Sequence, residues 1–279
     1  MKLIVAVSGG VDSVVLLDML VKSALEEGQV PPKIIVAHFD HGIRDDSAED
    51  ARFVAGLAKR YSLPFVTKRE ELGPDASEEL ARVRRYAFLR QLAEKHEARI
   101  VTAHHMNDIA ETVAINLTRG TGWRGLAVLD SDIYRPLLAK TKQELIDYAI
   151  EYQLEWCEDS TNSSNAYLRN RLRARITDKA PLKDLAALRT QQIALKPQID
   201  REVAKVTGES PYHRYFFSQL EPAVAIECLR GITEARLTRP QMERLLLAIK
   251  TYKVGSRYEA GAGIKVDFTT RHFSLKMIK

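Results

Sequence analysis

The sequence predicts an α/β fold, a parallel sheet with helices on both faces, followed by a small, mainly helical domain ending in a β-hairpin. Three observations carry this reading. Short β-branched apolar runs alternate with helical patterns through about residue 155. A glycine- and serine-rich loop joins the first strand to the first helix. Beyond about Ala166 the pattern turns helical, and only the tail alternates with the period of strands.

Leu3-Ile4-Val5-Ala6-Val7 is the first strand, and the apolar run from Val14 to Val21 reads as a helix packed on it. Lys33–Phe39 is a second strand, and Ser47–Arg60 a helix with Ala51, Val54, Ala55 and Ala58 on one side. Pro64–Thr67, a helix over Asp75–His96, Arg99–Ala103 and a helix from Asn107 to Thr118 continue the alternation. Strands separated by helices in this order make a parallel sheet, whose ligands bind at the carboxyl ends of its strands. Ile133–Leu138 adds a candidate last strand, and Lys142–Tyr152 a further helix. Next come helices over Tyr167–Thr177 and Leu182–Val206, the second interrupted by Pro197. Gly208–Pro211 is a break. Helices over Glu221–Leu229 and Arg239–Lys250 precede a hairpin of Gly263–Phe268 and His272–Lys276. The division expected is residues 1–180 and 181–279.

Composition bounds the function classes. Charged residues make up 28% and hydrophobic ones 45%, as in ordinary globular proteins. No apolar run approaches a membrane span, and no charged-then-apolar leader precedes the first strand. Cys157 and Cys228 form neither a disulfide framework nor a Cys-x-x-Cys pair. These features place the chain in the cytoplasm. A net charge of +5 permits nucleic-acid binding without demanding it.

Ser8-Gly9-Gly10-Val11-Asp12-Ser13 lies between a strand's end and a helix's start. Unpaired N–H groups and the helix dipole favour an anion there. The glycines allow close backbone approach, and the serines add hydroxyl donors. Asp12, an anion in a site built for anions, makes sense where a metal ion accompanies a phosphate. No G-x-x-x-x-G-K-[ST] occurs, which excludes a Walker-type loop. His38-Phe39-Asp40-His41-Gly42-Ile43-Arg44 falls at the same sheet end. It suits a nucleotide or metal site, or a polar loop in which Asp40 caps its own turn.

Arg84 stands four residues from both Leu80 and Phe88, on an apolar stripe, and so faces either a phosphate or a structural ion pair. Arg82 and Arg85 are expected in solvent. Asp108 and Glu111 share one helical face. They either complement the helix dipole beside a capping Asn107, or form a carboxylate pair able to hold an ammonium and take its proton. Arg119–Leu126 is a glycine-rich loop with two arginines and Trp123. Arg169, Arg171, Arg173 and Arg175 flank a Leu168, Leu172, Ile176 stripe, more arginine than solubility needs, and read as a phosphate-facing surface.

The first loop resembles the PP-loop of the N-type ATP pyrophosphatases, which share the adenine nucleotide alpha hydrolase-like fold. The ordered set Ser8–Ser13, His38–Arg44, Arg82–Leu89, Ala103–Thr112, Arg119–Gly122, Arg135–Leu138, Glu158–Asn162 and Arg169–Arg173 is similar to the pattern of the tRNA(Ile)-lysidine synthetases. The resemblance runs from residue 3 to about 178, with a likeness beyond it to the family's first C-terminal domain only. It implies a ligase using ATP and Mg²⁺ to adenylate the wobble cytidine of tRNA(Ile) with anticodon CAU, followed by attack of free lysine. It also implies that Ser8–Ser13 hold pyrophosphate, with His38 and Asp40 beside the nucleotide, and that Asp108 and Glu111 hold and deprotonate lysine. Arg84, Arg169 and Arg173 then contact phosphates or the modified base. A PP-loop tRNA thiolase and a non-catalytic tRNA-binding module are the competing readings.

Overall fold

The computed structural model describes residues 2–26, 33–42, 47–73, 76–157 and 182–277, in two compact units, residues 1–190 and 191–279. The first unit holds a four-stranded parallel sheet in the order β3-β2-β1-β4. Its strands are β1 (Lys2–Ala6), β2 (Lys33–Asp40), β3 (Phe65–Arg69) and β4 (Arg99–Val101). β1 runs in register beside β2 (Leu3 opposite Ile34) and beside β4 (Leu3 opposite Arg99). The chain therefore winds outward from β1 to β3, then returns to place β4 on the other side of β1. The crevice between the ends of β1 and β4 is the topological switch point, where such sheets bind ligands.

The period of two along β1 divides the core. Leu3, Val5 and Val7 join a cluster with α1 (Val11–Glu26), α2 (Ser47–Arg60) and α5 (Lys142–Glu151), through Leu17, Val54, Leu57 and Leu145. Ile4 faces the opposite layer, where α3 (Glu78–His96) contributes Tyr86, Phe88, Leu89 and Leu92. Full burial of each such side chain is worth roughly 1.5–3 kcal/mol. α4 (Met106–Thr118) packs through Met106, Ala110, Ile109 and Val113 against the start of α6 (Leu182–Thr207), at Leu182, Leu185 and Ala186.

A buried carboxylate ties this layer together. Asp18 on α1 accepts hydrogen bonds from the hydroxyls of Tyr61 (2.6 Å) and Tyr148 (2.7 Å) and pairs with Lys22 at 2.9 Å. Burial acts to raise its pKa, but these donors hold it below the usual carboxylate value.

Two expectations change here. Ile133–Leu138 is not a strand: Tyr134 makes a single bridge to Val101, and Pro136–Ala139 then turn as a 3₁₀ helix, since Pro136 has no N–H to donate to a ladder. Pro197 does not interrupt α6, which runs on from Leu182 to Thr207. Its surroundings are exposed enough for water to satisfy the carbonyl that the proline leaves unpaired.

The second unit packs α7 (Arg214–Gln219), α8 (Pro222–Ile232) and α9 (Arg239–Thr251) on an antiparallel sheet ordered β5-β8-β7-β6. The expected hairpin is β7 (Ile264–Phe268) with β8 (His272–Met277), extended by β6 (Arg257–Gly261) and β5 (Tyr212–His213). Phe217, Leu229, Met242, Leu245, Phe268 and Phe273 form its core. No helix among the described residues is long and apolar enough to cross a membrane.

Candidate active site

The loop Ser8–Ser13 leaves β1 and enters α1 at the switch point. Ser13 Oγ donates to the Gly10 carbonyl at 2.9 Å and accepts from the Ser8 N–H at 3.2 Å, so the two serines close the turn on themselves. Gly9 adopts φ +101°, a conformation that side chains avoid, and a methyl there would press on Cys157 Sγ at 3.4 Å. Its carbonyl accepts from the Cys157 N–H at 2.9 Å. Val11 and Ser13 are buried and anchor the loop, while Gly10, Asp12 and Ser8 remain accessible.

Asp12 extends from the first turn of α1 towards the start of α4. His105 Nε2 lies 3.6 Å from Asp12 Oδ2 and 3.6 Å from Asp108 Oδ2, and Lys142 Nζ donates to Asp12 Oδ1 at 2.7 Å. Burial acts to raise the Asp12 pKa, and the His105 and Lys142 groups more than offset it, so the carboxyl is held low. Burial acts to lower that of His105, but its two carboxylate neighbours hold it above the ordinary histidine value. The result is a cluster in which Asp12 and Asp108 flank one imidazole and Lys142 reaches the far oxygen of Asp12.

α4 supplies the rest. Its N-cap is His105, not Asn107: His105 Nδ1 accepts from the Asn107 N–H at 3.3 Å, and Asp108 Oδ2 accepts from the His105 N–H at 2.8 Å. The cap assigns the proton of a neutral ring to Nε2, towards both carboxylates. The Asn107 side chain is used elsewhere, with Oδ1 accepting the Lys142 N–H at 2.9 Å. Met106 N–H donates to the Lys140 carbonyl at 2.8 Å. These two bonds fix the segment carrying Lys142 to the helix carrying Asp108. Glu111, one turn on, is 1% exposed. Asp108 in the first turn of α4 therefore closes the capping box, the role that the dipole-complementing reading gave it.

His38 and Asp40 are buried at the end of β2. His38 Nδ1 bonds the Val7 carbonyl at 2.9 Å, tying the ends of β1 and β2 together. Asp40 accepts from the Gly42 N–H (2.9 Å) and from Arg69 (3.0 Å), so it caps its own turn.

Arg84 is not on the apolar stripe. Its side chain is 54% exposed and faces Glu70 at 3.5 Å. The buried face of α3 runs through Ala81, Tyr86, Phe88 and Leu89, leaving Leu80 and Val83 outside. Arg82 and Arg85, expected in solvent, are half-buried, with their guanidinium carbons 5.0 and 5.6 Å from the Tyr86 ring centre. Burial, together with the charges of Arg135, Arg82 and Arg85, brings His104 down to about 4, so it is neutral at pH 7. The Arg-x-x-Arg-Tyr spacing of the sequence was the signal for these arginines. Lys142 gave none, because a lysine opening a helix reads as solvated. In the loop after α4, Arg124 lies over the Trp123 ring at 4.6 Å. Arg44, Glu158–Asn162, Arg169, Arg171, Arg173 and Arg175 lie outside the described residues.

Comparison with known proteins places the chain in a family. Residues 1–180 match the PP-loop domain family. A tRNA(Ile)-lysidine synthase from Thermotoga sp. (strain RQ2) is 33% identical across 95% of this chain and 67% of its own length. The chain belongs to the tRNA(Ile)-lysidine synthase family of PP-loop proteins. A bifunctional protein TilS/HprT of Listeria monocytogenes is 38% identical over 190 residues, 63% of this chain. The chain spans 29% of that protein and 34–47% of several other relatives named as lysidine synthases. Among solved structures, the U34-tRNA thiolase NcsA from Methanococcus maripaludis superposes with a TM-score of 0.54. That match covers 71% of this chain and 72% of the thiolase at 16% identity, and so speaks for the fold alone.

Proposed function

We propose that this family member is an ATP-dependent ligase that joins free lysine to C2 of the wobble cytidine in tRNA(Ile) with anticodon CAU. The observation that carries the reading is the meeting of two sequence motifs at the switch point. Asp12 of the phosphate loop and Asp108 of α4 flank one imidazole, each 3.6 Å from His105 Nε2.

The chemistry follows in two steps. The cytidine O2 attacks the α-phosphorus of ATP, pyrophosphate leaves, and AMP stays on the base. The ε-amino nitrogen of lysine then attacks C2, and O2 departs with AMP. A pyrimidine carbonyl oxygen is a poor leaving group, and AMP attachment makes it a good one. Lysine is inert while its amine is protonated, so the second step needs a carboxylate within hydrogen-bond reach. Asp108 and Glu111 hold the ammonium and take the proton. Gly9, Gly10, Ser8 and the first N–H groups of α1 cradle pyrophosphate, with His38 and Asp40 walling the nucleotide. Asp12 is an accessible carboxylate oxygen donor, which suits Mg²⁺: that ion takes one or two protein carboxylates and fills its sphere with phosphates and water. When bound, it neutralises the pyrophosphate charge. Exposed Arg84 suits a tRNA phosphate, and Arg169 and Arg173 are assigned to the reacting base or phosphates.

We assign catalysis to residues 1–180, tRNA contact to residues 181–279, and the protein to the cytoplasm. A sulfur-transfer reading lacks support, because the two cysteines fall in different units and Cys228 is buried. The test is incubation with ATP, labelled lysine and bulk tRNA. Label entering one isoleucine tRNA, with AMP and pyrophosphate released, is the expected result. Lysine-independent ATP turnover with unlabelled tRNA would overturn it.

A further inference from the structure

Lys142 was not marked by any motif, yet its ammonium is a direct partner of the phosphate loop. It stands at the first position of α5 and reaches Asp12 Oδ1 at 2.7 Å. Its backbone is held firmly. The Thr141 side chain caps the helix in a box with Glu144, and Lys142 N–H donates to Asn107 Oδ1 at 2.9 Å. Its side chain is not enclosed, being 37% exposed, and that of Asp12 is 30% exposed. A long flexible cation, rooted in a fixed backbone and resting on an accessible loop carboxylate, has somewhere else to go once that carboxylate is engaged.

We propose that Lys142 is a pyrophosphate-binding residue, which leaves Asp12 and donates to a phosphate oxygen when the loop fills. This rests on the nucleotide reading given above. The physical argument is charge balance. A polyphosphate brings several negative charges to a loop that already carries Asp12, and among the loop's own residues 8–13 there is no cation. The ammonium 2.7 Å away is suited to supply one: lysine acts as a point charge with three rotatable donors, needing no fixed fork geometry. While the loop is empty, Asp12 keeps that ammonium at the site. Once a divalent ion takes Asp12, the ammonium is released next to the incoming anion.

The test is calorimetric binding of inorganic pyrophosphate to the full chain, with and without Mg²⁺, alongside KM for ATP and melting temperature. Lys142→Met keeps the side-chain stem and removes the charge. It is expected to weaken pyrophosphate binding and raise KM for ATP by about tenfold or more, the scale of one charge-assisted hydrogen bond. KM for lysine should stay within about twofold, and Lys142→Arg should recover most of the loss. An Asp12→Asn background separates direct contact from simple masking of Asp12. There, adding Lys142→Met should still weaken metal-free pyrophosphate binding by about tenfold. If the loss vanishes in that background, the ammonium only neutralises Asp12 and the inference falls. Unchanged affinity in Lys142→Met overturns it as well. Absence of pyrophosphate binding to the unmodified chain would instead sink the nucleotide reading, and this inference with it.

Discussion

Asp108 serves two purposes that one pair of substitutions can pull apart. Its Oδ2 accepts the His105 N–H at 2.8 Å, closing the capping box of α4, and the same oxygen lies 3.6 Å from His105 Nε2. Asp108→Asn keeps the size and one acceptor oxygen, so the cap survives, but the carboxylate that takes the lysine proton is gone. Asp108→Ala removes both. Losing a cap costs about 1 kcal/mol, a fall of roughly 2–4 °C in melting temperature for a protein of this size. Losing the base should slow lysine transfer by about 10²-fold or more, equal to about 2.7 kcal/mol on that barrier. Adenylation is followed as ATP–pyrophosphate exchange, lysine transfer as label entering tRNA, and stability by calorimetry. Both variants should retain exchange and lose transfer equally, and only the alanine should lose stability. If Asp108→Asn transfers lysine within about threefold of the unmodified protein while the alanine variant fails in step with its melting temperature, the carboxylate is only a cap.

Asp12→Ala should abolish pyrophosphate release while leaving the chain folded, because the residue is an accessible loop carboxylate with no core volume to lose; circular dichroism and a pyrophosphate assay check both halves. Asp18→Ala should destabilise the first unit by about 3 kcal/mol, leaving two tyrosine hydroxyls and an ammonium without their acceptor. Since the folded pKa of Asp18 is depressed, its contribution holds above about pH 4 and is lost as pH falls through the lower folded value. Unfolding of Asp18→Asn and the unmodified protein across that range should therefore converge in acid. Arg84→Ala should cost under about 0.5 kcal/mol of stability, its pair with Glu70 being exposed. It should also lower the slope of log affinity for tRNA against log salt by about 0.7–0.9, with turnover at saturating tRNA unchanged. A kcat loss without an affinity loss would move Arg84 from the rim to the reacting centre.

What sequence can and cannot reveal follows the range of the interactions. The strands and helices of the first unit were legible because their apolar periods are local and agree with their flanking glycine, serine and proline signals. Pro136 and Pro197 show the limit: the same residue type ended one candidate strand and left a helix running, according to whether a lost donor was needed or water served instead. β5, with two residues, and β6, broken by an irregularity at Gly261, are too short or too irregular to show a period. Within the site, Ser8–Ser13, Asp108 and Glu111 were legible as motifs. The cluster of Asp12 with His105 and Lys142 was not, because it depends on contacts across more than 90 residues of chain. Arg84 was misplaced by assuming that Leu80 and Phe88 share the buried stripe, when Leu80 is outside it.

The outward-then-return winding of the sheet also sets a timetable for synthesis. The residues of the phosphate loop are all present once the first turn of α1 has emerged, but they stand alone. Its partners arrive only when β4 pairs with β1, a contact between Leu3 and Arg99 at opposite ends of almost the whole sheet-forming segment. Pairings of such long sequence separation form late, after the chain between has collapsed. A nascent chain therefore carries the glycines and serines of the cradle well before it possesses a base, an imidazole or a lysine to place beside them. Stalled or truncated products that end short of α4 retain the glycine loop yet have no means of carrying activated phosphate chemistry to completion.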